Sequence, residues 1–297
     1  MSLKGVMDAN GLSLSRVAQI TGYDKSTLSK IANGMYPHAA EKEEEICRQI
    51  AEAGFKEPEK LSPVKLKIDK TVFVPTGNNE RFEKLCDGLL DPEGLLTSSL
   101  GLCIGTAGRG KTFASLRYAA LNQEAVYVLF VDGYTQTKLL KEIAYELTGT
   151  RPGHFEKCLD TIEEGSRIAR KLVIIDEADK MPLRYLEMLR AINERCSLPI
   201  LLVGEEDLYS RLANVPRLRS RIRKPIVKFG PVDLVDVSAF FKLAVGLSIP
   251  VEVAKELCER ANGDFRVVVN DARAIIDILN TSGITHLDNS ILAQLRV

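Results

Sequence analysis

The sequence predicts an α/β fold: a parallel sheet with helices on its faces, preceded by an all-α domain and followed by a small helical lid domain. Three observations predict it. Between about residues 71 and 230, apolar runs of strand length alternate with helical patterns. A glycine-rich loop, GTAGRGKT (105–112), directly follows the first of those runs. Helical spacing fills the first 56 residues and the chain after about 231, where no further strand is evident.

Taken in order, Leu14, Val17, Ala18 and Ile20, then Leu28 and Ile31, fall at helical spacing around the turn Thr21-Gly22-Tyr23-Asp24. A first helix over about 14–20 and a second over 25–32, ending at Asn33-Gly34, resemble a repressor-type helix-turn-helix. Lys25, Ser26, Thr27, Ser29 and Lys30 are polar, short or basic, as groove-facing positions are, while Leu28 and Ile31 pack inward. A helical hairpin for protein contacts is the alternative. Residues 57–70, within a stretch rich in Glu, Lys and Pro, read as a linker from this 1–56 domain.

SLGLCIG (99–105), AVYVLFVD (125–132), KLVIIDEAD (171–179), LPILLVG (198–204) and KPIVKFG (224–230) read as five strands buried on both faces, giving a core over 71–230. The lid covers 231–297. Pro250 suits a first helical position and Asn262-Gly263 a helix end, which predicts a helix over 250–261. Tyr127, Phe130, Phe240 and Phe241 lie in apolar runs and read as core. His38, His154 and His286 have no ligand pattern around them and default to surface or cap roles.

The loop carries the chemistry. Between a strand and a helix, the backbone N–H groups of Gly105, Thr106, Ala107, Gly108, Arg109, Gly110 and the residues to Phe113 converge on phosphate oxygens, and the following helix adds its positive end. Lys111 reaches the outer phosphates of ATP, and the Thr112 hydroxyl ligates Mg²⁺. Asp176, ending an apolar strand, holds the magnesium shell, and Glu177 orients and activates the attacking water.

With those motifs, the strand ending at Gly204, the segment RLRSRIRK and the helical end, residues 70–297 resemble an AAA+ ATPase. The run KLVIIDEADKMPLRYLEMLRAINERCSLPILLVGEEDLYSRL is similar to the B-protein family of Mu-like transposable phages, with insertion-sequence helper ATPases as relatives. The resemblance implies that Glu205 occupies the sensor 1 position, where the family carries a neutral polar residue; a carboxylate there predicts slow hydrolysis. It implies that Arg221 is the arginine finger supplied to a neighbouring subunit, with Arg219 and Arg223 as alternatives, and that Arg266 in GDFR is the sensor 2 arginine facing the γ-phosphate. It further implies a homo-oligomer, such as a filament on double-stranded DNA, that delivers target DNA to a transposase.

Forty basic and forty acidic residues cancel, so DNA affinity has to come from local patches. Between Leu208 and Val232 there are seven basic residues and no acidic one, which suits either phosphate contacts through Arg217, Arg219, Arg223 and Lys224 or a subunit interface. The six scattered cysteines form no C-x-x-C pair, which argues against zinc and disulfides. No apolar stretch reaches the roughly 18 residues of a membrane span, so a cytoplasmic protein is expected. The rival functions are a helicase loader or replication initiator with the same motifs, and a transcriptional regulator in which ATP is only a ligand.

Overall fold

The computed structural model describes residues 3–33, 35–36, 39–55, 65–91, 100–282, 287 and 289–295. Gly34, His38, His286, Ser99 and positions 57–64 of the expected linker lie outside the described residues. The chain forms two compact units, 1–65 and 66–297.

The first unit is helical: α1 (Leu3–Asn10), α2 (Leu14–Thr21), α3 (Lys25–Ala32) and α4 (Ala39–Glu52). The turn between α2 and α3 uses Gly22 in the left-handed region, φ 73°. Asp24 then caps α3, accepting the backbone N–H groups of Ser26 (2.9 Å) and Thr27 (3.0 Å). Leu28 and Ile31 do pack inward, with Val17, Ile46 and Ile50. The Glu- and Lys-rich stretch from Glu41 forms α4, because Ile46, Cys47 and Ile50 recur at helical spacing on its buried face.

In the second unit the elements run α5 (Gly77–Leu90), β1 (Leu100–Ile104), α6 (Lys111–Leu121), β2 (Ala125–Leu129), α7 (Gln136–Thr148), α8 (Phe155–Ile168), β3 (Leu172–Asp176), α9 (Leu183–Cys196), β4 (Ile200–Gly204), α10 (Glu206–Ala213), α11 (Pro216–Arg219) and β5 (Val227–Lys228). The sheet is parallel in the order β2-β3-β4-β1-β5. Period-two alternation divides its faces. Leu102, Ile104, Val173, Ile175, Ile200 and Leu202 pack toward α7, α8 and α9, while Cys103, Leu172, Ile174, Leu201 and Val203 pack toward α5 and α6. His154 takes the N-cap position of α8. The fifth strand is two residues long where 224–230 was expected; Pro225 has no N–H to give the ladder.

The lid comprises α12 (Leu234–Phe240), which runs into a π-helical turn at Phe241–Val245, then α13 (Val251–Ala261), α14 (Phe265–Ser282) and α15 (Asn289–Gln294). Phe240 and Phe241 are core, as expected. Pro250 is the N-cap of α13, one residue before the expected position, and Asn262 ends it in the left-handed region. Residues 66–70, expected as the end of the linker, are instead fastened to the lid. Asp69 N–H donates to Ala244 O (2.7 Å), and Leu66 exchanges two hydrogen bonds with the Asn280 side chain.

Candidate functional site

At the carboxyl ends of its strands, where open parallel sheets hold ligands, β1 runs straight into the loop 105–110. Gly108 and Gly110 have φ of 77° and 94°, in the region that L side chains avoid. Gly110 is the N-cap of α6, so the helix's unpaired N–H groups open onto the loop. Lys111 is 9% exposed, and its Nζ donates to Gly105 O (2.6 Å) and Thr106 O (3.0 Å), so the ammonium lies under the loop. The Thr112 side chain is exposed beside it. Phe113 is also exposed and lies parallel to Phe73 at 6.3 Å, with the Arg117 guanidinium over Phe73 at 3.5 Å.

Asp176 is buried at the tip of β3, two strands away from β1. Its Oδ1 accepts the Glu177 N–H (2.9 Å), and its Oδ2 accepts the Tyr127 hydroxyl (3.0 Å). Glu177 holds a left-handed backbone, φ 60°, ψ 31°, a costly geometry for a non-glycine residue of the kind that clusters at functional sites. Its carboxylate pairs with Lys180 at 2.7 Å. Cys103, beneath on β1, feels both Lys111 and Asp176, but burial dominates and pushes its thiol up.

Glu205 is the N-cap of α10, and its own side chain makes no cap hydrogen bond. The Asp179 carboxylate instead accepts the N–H of this N-cap residue, at 3.0 Å. Arg211, counted with the basic segment, turns inward and donates to the carbonyls of Asp179 and Met181. The loop after β3 is thereby locked to the turn after β4.

The lid meets the phosphate loop through GDFR. Phe265 N–H donates to Gly108 O (3.0 Å), and Asp264 lies so close that a Cβ on Gly108 would stand 2.1 Å from its carboxyl carbon. Gly263 is packed just as tightly on the Arg109 guanidinium. Arg266, in the first turn of α14, is exposed.

The arginine segment is largely engaged within the protomer. Arg217 pairs with Glu187 (2.6 Å), Arg221 with Glu194 (2.7 Å), and Arg223 donates to Gly88 O. Arg190 joins Glu187 and Glu194 into one network along α9. Among the described residues, Arg219 and Lys224 are exposed with no side-chain partner. In the first unit, Lys25 and Lys30 are exposed, whereas the Ser26 and Thr27 hydroxyls donate to Asp24.

Sequence reasoning missed Tyr127, Asp179 and Asp264. Tyr127 becomes visible only in the β2–β3 register, where it opposes Ile174 and so shares a face with Asp176 two residues along.

Residues 95–212 match the family model for the AAA domain. The core has the AAA+ fold. Over 140 residues the chain is 32% identical to the ATP-dependent target DNA activator B of Escherichia phage Mu, covering 43% of this chain and 44% of that protein. It is 28% identical over 141 residues to the Mu-like prophage FluMu DNA transposition protein B of Haemophilus influenzae, covering 43% and 48%. The chain thus spans under half the length of these curated relatives. Among solved structures, the Aeropyrum pernix ORC2 protein with ADPNP and ADP shares the AAA+ fold at TM-score 0.57 and 17% identity, over 79% of this chain and 70% of that one. Among the described residues no helix is long and apolar enough to cross a membrane.

Proposed function

We propose that this chain is an ATP-dependent DNA-binding protein that assembles on duplex DNA with little sequence preference and presents it as target to a transposase. The reading is supported by one conjunction: a phosphate loop, a buried aspartate and a lid contact in a chain that is 32% identical, over 140 residues, to a target DNA activator.

The residues fit ATP and Mg²⁺. Lys111 and the N–H groups of 105–113 bind the phosphates, with the α6 N-terminus adding its dipole. Thr112 and Asp176 would hold Mg²⁺, which when bound neutralises charge developing on the phosphates. Glu177 orients and deprotonates the attacking water once Lys180 releases it. Glu205 stands at the sensor 1 position, and its carboxylate slows turnover. Arg266 approaches the γ-phosphate as the lid closes. Arg221, from a second copy, completes the site. DNA is held by Arg217, Arg219, Arg223 and Lys224 and by Lys25, Ser26, Thr27, Ser29 and Lys30, many copies along an assembly adding modest individual affinities.

The test is imaging of the chain on random-sequence duplex DNA with ATP, a non-hydrolysable analogue and ADP, beside Lys111→Ala. Triphosphate-dependent decoration that the variant loses is expected. Normal ATP-dependent DNA binding by Lys111→Ala would sink the mechanism. Particles confined to particular sequences would make the chain a regulator instead.

A further inference from the structure

Tyr127 is the central residue of β2, a strand otherwise aliphatic over 125–129, and carries its one polar group. Its ring packs against the cluster between the sheet and α5 and α6. Its hydroxyl reaches Asp176 Oδ2 at 3.0 Å. The opposite oxygen, Oδ1, accepts the Glu177 N–H at 2.9 Å. The carboxylate is therefore gripped from both ends.

We propose that Tyr127 is a positioning residue for the metal function of Asp176: its hydrogen bond fixes the carboxylate plane so that the remaining lone pairs face the phosphate loop. Without that donor only the Glu177 N–H holds the carboxylate, at one oxygen, and the other can swing about the χ2 torsion, a broad and soft rotation for Asp. It would then have to be oriented afresh each time Mg²⁺ enters. The inference rests on the ATP and Mg²⁺ reading of this site and names a residue that the loop motifs do not contain.

Tyr127→Phe removes one oxygen and keeps the ring, so packing is preserved. Tyr118→Phe is the matched control, because Tyr118 also donates its hydroxyl to a carboxylate, Asp87 at 2.6 Å, on helices away from Asp176. Binding of a fluorescent ATP analogue to the full chain is titrated with Mg²⁺, and repeated in EDTA. Tyr127→Phe is expected to match the wild type in EDTA and to need about tenfold more Mg²⁺ for half-maximal tight binding, the size of one hydrogen bond to a charged acceptor. Tyr118→Phe is expected to follow the wild type throughout. An unchanged Mg²⁺ requirement in Tyr127→Phe overturns the proposal, as does an equal loss of binding in EDTA and in Mg²⁺, which marks a packing role. Wild-type protein that binds the analogue without any Mg²⁺ dependence overturns the reading of the site itself.

Discussion

Replacing Gly108 with Ala tests whether the lid truly rests on the phosphate loop. Two costs can be worked out. The backbone at φ 77° is strained for an L residue, which costs roughly 1–2 kcal/mol. The new methyl would also stand 2.1 Å from both Cγ and Oδ1 of Asp264, so that side chain must move. Asp264 Oδ1 accepts the Arg266 N–H at 2.8 Å, and giving up that bond at the start of α14 costs about 1 kcal/mol. The sum is about 2–3 kcal/mol, or roughly 5–10 °C in the unfolding temperature of a unit of this size. Asp264→Ala alone costs the cap, about 1 kcal/mol. In the double variant there is no carboxylate left to displace, so its cost should equal that of Gly108→Ala alone, a coupling of about 1 kcal/mol. Calorimetry of the four proteins measures it. Strict additivity would mean that Asp264 does not touch the loop, and would refute the lid contact along with any argument that the lid senses phosphates through it.

Glu194→Gln removes the carboxylate that holds Arg221 while leaving an amide of the same shape. If Arg221 serves a second copy, the variant frees it, and the ATP concentration for half-maximal assembly on DNA falls by up to about fivefold, the worth of a pair of about 1 kcal/mol; an unchanged ATP requirement beside the wild type would contradict that role. Cys86 and Cys103 are buried with thiols pushed up by desolvation, so a thiol reagent at pH 8 should leave both untouched in the native chain while denatured protein reacts fully. Mass spectrometry of labelled peptides reads the outcome, and fast native labelling of Cys103 would contradict the tight sheet under the phosphate loop.

The parts of this molecule that were legible in its sequence are those set by local chemistry. The five apolar runs each contain a strand because residues of both parities are apolar, as burial on two faces demands. The glycines of GTAGRGKT were legible because the left-handed backbone at Gly108 and Gly110 tolerates few residue types, and the aspartate ending β3 because the apolar run stops at it. What stayed hidden depends on distant pairs. Nothing near Asp264 in sequence announces that it will sit on Gly108, more than a hundred residues earlier. Asp179 reads as one more acid in DEADK until the fold brings the Glu205 N–H to it. The basic segment read as phosphate contacts or a subunit interface because composition counts charges and not partners within the chain. In the fold Arg217, Arg221 and Arg223 turn to Glu187, Glu194 and the Gly88 carbonyl, leaving Arg219 and Lys224 outward.

That arrangement bears on how a nucleotide site could be completed. The arginine segment is pinned to the start of β1: Leu100 N–H donates to Arg221 O (2.8 Å), and Arg223 N–H donates to Leu100 O (2.9 Å). The phosphate loop begins at the other end of the same strand, at Gly105. At about 3.3 Å per residue the two lie roughly 16 Å apart along the strand, more than twice the reach of an extended arginine side chain. Arg221 also points its guanidinium at Glu194 on α9. It therefore cannot serve the phosphates bound by its own Lys111. If it serves any, they belong to a second copy, and the Glu194 pair must open or turn to let it do so. An exposed or half-exposed ion pair of this kind holds by no more than about 1 kcal/mol, little enough for a triphosphate to compete. If Arg221 does serve a second copy, nucleotide binding on one protomer and the release of arginine on its neighbour become a single equilibrium, which is what the proposed ATP-dependent assembly requires.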